Sequence, residues 1–101
     1  MSIQAMQRGV SGMRLAERKL AASAHNTANM VTEGFARVQV EGVEAPGGGV
    51  EGVDKTLPVE QGPDPVAEII EQKSASVMYR ANLRTVKAAT DMLGDLLNTR
   101  G

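Results

Sequence analysis

The chain has no cysteine, no tryptophan and only two other aromatic rings, Phe35 and Tyr79, in 101 residues. Absence of cysteine excludes disulfides, a thiolate nucleophile and a cysteine-based zinc site. Scarcity of rings removes the bulky material that usually fills a core of this size, which favours helices lying side by side over a thick globular core. Nowhere do apolar residues run for the ~18 positions that span a bilayer, so no stable membrane insertion is expected. The N-terminal segment, interrupted by Arg8, Arg14, Glu17, Arg18 and Lys19, lacks the apolar run of a secretory signal. Any export is expected to use another route.

Chemistry is equally sparse. His25 is the sole histidine, too few ligands for zinc, and reads as a surface or packed residue. The serines at 11, 23, 74 and 76 fall within expected helices, without the elbow, base and orienting acid that activate a nucleophile. Gly47, Gly48 and Gly49 lack the lysine and following helix of a phosphate loop and read as a turn. Neither a catalytic centre nor a cofactor is expected.

Charge is unevenly distributed. Residues 1–40 carry five basic and two acidic groups, residues 41–71 one basic and eight acidic, and residues 72–101 five basic and two acidic. The basic residues are scattered and lack stacking aromatics, which argues against a nucleic-acid partner. Glu41, Glu44, Glu51, Asp54 and Glu60 read as solvated acidic surface, since no rigid cleft holds two of them at a fixed separation.

Periodicity divides the single domain, 1–101, into three parts. From Ser2, a candidate N-cap, Ile3, Met6, Val10 and Met13 alternate by three and four, predicting a helix over about residues 2–30, roughly 40 Å long. Glu17 interrupts this stripe before Leu20, suggesting a stutter, and Ala21, Ala24 and Ala28 offer a close approach of backbones. Residues 31–62 form a junction. Alternation around Val38 and Val40, the Pro46–Gly49 turn and Val50–Leu57 predict a short β-hairpin or loop that must lean on a helix or a neighbour or else stay flexible, followed by a linker at Glu60–Pro63.

A second helix is predicted over 64–99. Asp64 suits the N-cap and Pro65 the first turn, and Glu68 and Glu71 complement the positive helix end. Ile69, Gln72, Ser76, Tyr79, Leu83, Val86, Thr90, Leu93 and Leu97 form an unbroken heptad line, widened by Ile70, Val77, Met92 and Leu96. Its polar members Gln72, Ser76 and Thr90 either fix register or form a solvated edge. The expected fold is mainly α: two long terminal helices packed as an antiparallel or coiled-coil hairpin, with the short β-hairpin or loop inserted. The expected packing seam is Ile3, Met6, Val10, Met13 and Leu20 against Ile69, Leu83, Val86, Leu93 and Leu97.

Between the helices, Asn26-Thr-Ala-Asn29-Met-Val-Thr32-Glu-Gly34-Phe35 gathers residues suited to closing a helix. Asn and Thr bond the open carbonyls and amides, Gly34 reverses the chain, and Phe35 pins the exit. Ordinary capping accounts for it equally well. This segment resembles the NxLANxxTxGFK-like motif of the bacterial flagellar axial family, the rod, hook and hook-associated proteins. Asn26, Ala28, Asn29, Thr32, Gly34 and Phe35 match, whereas Thr27, Glu33 and Ala36 replace the usual leucine, proline and lysine. Residues 63–100, with Tyr79, Ala81 and Asn82, resemble the closing helix of the same family and its Tyr-x-Ala-Asn signature.

The resemblance implies terminal helices paired into the inner tube of a filament, with the central insertion nearly absent, as in the short proximal-rod type. It implies a structural subunit of the flagellar basal-body rod that self-associates and contacts other rod and hook-basal-body proteins. It further implies passage through the flagellar type III export apparatus without a cleaved signal peptide, and a place in the periplasm-spanning rod. The competing expectation is a helical-hairpin adaptor that dimerises or binds a partner helix without polymerising.

Overall fold

A computed structural model describes residues 3–100, with side chains as far as Asn98; the expected N-cap Ser2 lies outside the described residues. The order is α1 (Ile3–Ala28), β1 (Val38–Glu44), β2 (Val50–Thr56), one short 3-10 turn (Val59–Gln61) and α2 (Pro65–Arg100). The protein is mainly α, its two long helices packed against each other and the two strands paired as an antiparallel hairpin.

The end of α1 and the start of α2 each have a local cause. The Asp64 carboxylate accepts the Val66 N–H at 3.1 Å, and Pro65 occupies the first turn, where its missing N–H costs no bond. Helix α1 ends at Ala28, two residues before the expected limit, because Asn29 takes over the capping. Its amide donates to the His25 carbonyl at 3.0 Å, and Thr32 Oγ1 donates to Asn29 Oδ1 at 3.3 Å. Gly34 then reverses the chain at φ +73°, a conformation that costs glycine little.

The helices run antiparallel: Gly9 and Gly12 pack at Val86 and Asn82, while Ser23 and Asn26 reach Glu68. Their contact line corrects the expected seam. On α1 it passes through Gly9, Gly12, Ala16, Lys19, Ser23 and Asn26; on α2 through Glu68, Gln72, Ala75, Tyr79, Asn82, Val86 and Ala89. Of the expected seam only Val86 lies on this line. Ile3, Leu20, Ile69, Leu83, Leu93 and Leu97 are 42% to 65% exposed, and Met6, Val10 and Met13 are half-buried.

The physical reason is separation. Large side chains at a contact hold helix axes about 8–10 Å apart, whereas small ones admit the opposing backbone. A Cβ added at Gly9 would lie 2.7 Å from Val86 Cγ2 and 3.3 Å from the Asn82 carbonyl oxygen, so that space is already filled by α2. The observed line steps by three and four past Glu17, which is exposed, and there is no stutter. Ala21, Ala24 and Ala28 are exposed, and the close approach occurs at Gly9 and Gly12 instead.

The hairpin pairs Val38 with Thr56 through Glu44 with Val50. Its turn holds Gly47, Gly48 and Gly49 at φ +86°, +101° and +82°, a run that side-chain-bearing residues would adopt only with strain. As expected of a marginal two-stranded unit, it leans on a helix. Leu15, buried, lies under Gly42; the Val50 N–H donates to Ser11 Oγ at 3.1 Å; and Arg18 donates to Asp54 at 2.7 Å and to the Gly52 carbonyl.

Candidate assembly surfaces

Three features stand out: a buried polar corner where α1, β1 and α2 meet, a glycine contact further along the helix pair, and an uncovered apolar flank.

At the corner, Glu68 is 1% exposed and Asn26 is 1% exposed, the two bulkiest fully buried side chains among the described residues. Glu68 Oε2 pairs with Arg37 Nε at 2.5 Å, while Oε1 accepts from Ser23 Oγ at 2.9 Å and from Asn26 Nδ2 at 3.3 Å. Asn26 meets the backbone of β1 with both ends of its amide: Nδ2 donates to the Val38 carbonyl at 2.7 Å and Oδ1 accepts the Val38 N–H at 2.9 Å. That pair imitates a strand partner and begins β1 against the side of α1. A buried carboxylate is tolerated here because its charge is paired and both oxygens are bonded.

Glu68 was expected only to complement the helix dipole, a role its first-turn position still allows. Ser23 and Arg37 carried no sequence motif at all. The available signal was the unbroken three-four spacing from Glu68 through Gln72 and Ala75 to Ala89. Gln72 extends the network by donating to Ser23 Oγ and Thr27 Oγ1, each at 3.2 Å. Thr27, which stands where the resembled flagellar motif has leucine, therefore provides a polar cross-helix contact that leucine would not. Of the polar α2 residues, Gln72 contributes to register, whereas Thr90 is exposed and bonds only its own Val86 carbonyl.

The remaining motif residues are spread out. Ala28 and Thr32 are exposed, and Phe35 is half-buried edge-on to His25, with ring centroids 5.4 Å apart and an interplanar angle of 66°. Ala81 is exposed, Tyr79 is half-buried, and Asn82 lies over Gly12. A Cβ at Gly12 would sit 2.3 Å from Asn82 Oδ1 and within 2.6 Å of the other two amide atoms, so the asparagine occupies the space this glycine leaves. Asn26 and Asn82, from the two halves of the resemblance, thus sit on separate parts of the helix pair.

The third feature uses the expected seam residues in another way. The hairpin covers the α1 stripe of Arg8, Ser11, Leu15 and Arg18, one position before the contact line. Ile3, Met6, Val10, Met13 and Leu20 lie one position after it, on the opposite flank. There they meet the α2 stripe of Ile69, Ser76, Leu83, Thr90 and Leu97. Two largely apolar grooves run along this flank: one of about 330 Å³ lined by Ala16, Leu20, Ala75 and Tyr79, the other of about 320 Å³ lined by Ile3, Met6, Val10 and Val86. By Cα positions the molecule measures 63 × 25 × 14 Å, with room for no more than two packed layers, so this face has no cover among the described residues.

Among the described residues, no helix is long and apolar enough to cross a membrane. In comparisons with known families and curated proteins, the chain matches no family model and no protein.

Proposed function

We propose that the chain is a structural subunit that polymerises through its terminal helices, and that the polymer is the rod of a bacterial flagellar basal body. The observation that carries the assembly reading is the uncovered flank, where Ile3, Met6, Val10, Met13 and Leu20 of α1 and Ile69, Leu83 and Leu97 of α2 face away from the hairpin. Fully burying such a side chain contributes about 1.5–3 kcal/mol, so half-exposed leucines and isoleucines add about 1 kcal/mol each. Half a dozen contribute about 6 kcal/mol, against an association cost of about 4–15 kcal/mol. One such contact leaves a pair weak. Repeated contacts in a lattice bury more of each subunit, which favours an assembly over an isolated dimer.

The rod assignment rests on the resemblance at Asn26, Ala28, Asn29, Thr32, Gly34 and Phe35 and at Tyr79, Ala81 and Asn82. In this reading the partners are further copies and other rod and hook-basal-body proteins. The subunit passes through the flagellar export apparatus, keeps its N-terminus uncleaved and works in the periplasm-spanning part of the drive shaft.

Sedimentation velocity of the full chain across concentration tests the assembly, and motility of cells carrying Leu83→Asp tests the role. Leu83 is 44% exposed, so the variant should keep its fold. It should lose high-order species and motility, because a carboxylate would enter the contact without a partner. A fixed dimer at every concentration, with unaltered motility in the variant, would establish the adaptor instead.

A further inference from the structure

We propose that the contact between copies is front to back: the outer face of one molecule's β-hairpin docks on the apolar flank of the next. The inference rests on the assembly reading above and specifies which surfaces mate. The hairpin's facing follows from its pairing. Val40 is buried, Gly42 faces Leu15, and their cross-strand partners Asp54 and Gly52 meet Arg18, so these positions point at α1. Glu41, Val43, Glu51 and Val53 therefore point outward. Val43 is 38% and Val53 48% exposed, two apolar side chains bordered by acids. Lys55 shares this face and pairs with Glu41 at 3.6 Å, which leaves the face net negative.

The apolar flank has the complementary character. Arg80 and Arg14 line its grooves, and Lys73 and Lys87 lie seven residues either side of Arg80 on the same α2 stripe. None of these four cations has an ion pair among the described residues, and Glu17 is the acid beside them. Apolar surface rimmed by cations thus lies on one flank of the helix pair, and apolar surface rimmed by acids lies on the other. Two different surfaces on opposite flanks form a heterologous contact, which repeats without requiring closure. Opposite charges at the rims set orientation and disfavour back-to-back or front-to-front pairing.

The test uses charge reversal in the full chain. Arg80→Glu with Lys87→Glu, and separately Glu41→Lys with Glu51→Lys, should each raise the concentration needed for assembly by roughly tenfold or more, through like-charge rims. All four substituted residues, Glu41, Glu51, Arg80 and Lys87, are exposed, so circular dichroism should show unchanged helix content in both variants. The chain carrying all four substitutions exchanges the signs of the two faces and should assemble near the original concentration, a recovery that loss of folding would not permit. An effect of the flank pair with none of the hairpin pair would assign the flank to another acidic partner and overturn the proposal. Failure of the fourfold chain to recover would overturn it too. If the unaltered chain never assembles, the assembly reading itself falls, an outcome distinct from these two.

Discussion

The two ends of the helix contact hold together by different means. At the corner, α1 and α2 meet through a buried carboxylate, a guanidinium, two amides and hydroxyls; further along, they meet because Gly9 and Gly12 leave room for Val86 and Asn82. The corner depends on bonding partners that come from three elements at once. The glycine contact depends on absent atoms. Together they give a thin helix pair a defined register without a row of large apolar residues between the helices, and that leaves the large residues free to face outward.

Breaking the corner should have the larger effect. Glu68→Met would leave Arg37, a part-buried cation, without its partner, a loss toward the lower end of the about 3–5 kcal/mol of a broken buried pair. For a chain this small, that is a large part of total stability. Urea unfolding followed by circular dichroism should show the lowered midpoint, and adding Arg37→Met should recover much of it, since the stranded charge is then removed. No loss in the single variant would mean that the corner is ornamental to the fold.

The glycine contact gives a smaller effect with a built-in control. Gly12→Ala gains about 0.5–1 kcal/mol of helix propensity, but overpacking against Asn82 costs about 1–3 kcal/mol, and the second effect should prevail. Asn82 also donates to the Met78 carbonyl at 2.8 Å, a bond that its displacement would disturb. A drop in melting temperature is expected. Gly94→Ala sharpens the comparison with the smallest change and the opposite sign. A Cβ there meets nothing within 4 Å, so only the propensity gain of about 0.5–1 kcal/mol remains and the melting temperature should rise. Equal shifts in the two variants would remove the case for a tight contact at Gly12.

Local features were legible from sequence because their causes are local. Asp64 and Pro65 open α2, the glycine run closes the hairpin, and Asn29 with Gly34 ends α1 and turns the chain, each through bonds or dihedral limits within a few residues. The hub was not legible, because Glu68 is joined to Arg37 across 31 residues and to Ser23 across 45. No spacing rule spans such separations.

Sequence by itself determined two long helices, a glycine-rich turn between them and the three-four periodicity that made helix packing the expectation, while the pairing of the two strands was left open between hairpin and loop. Tertiary structure alone decided which of two neighbouring stripes turns inward. The stripe of Ile3, Met6, Val10 and Met13 and that of Gly9, Gly12 and Ala16 share one period and differ by a single position, about 100° around the helix. Periodicity cannot choose between them. The choice is made by how closely the two backbones approach and by whether each buried polar atom finds a partner, and both are properties of the assembled pair.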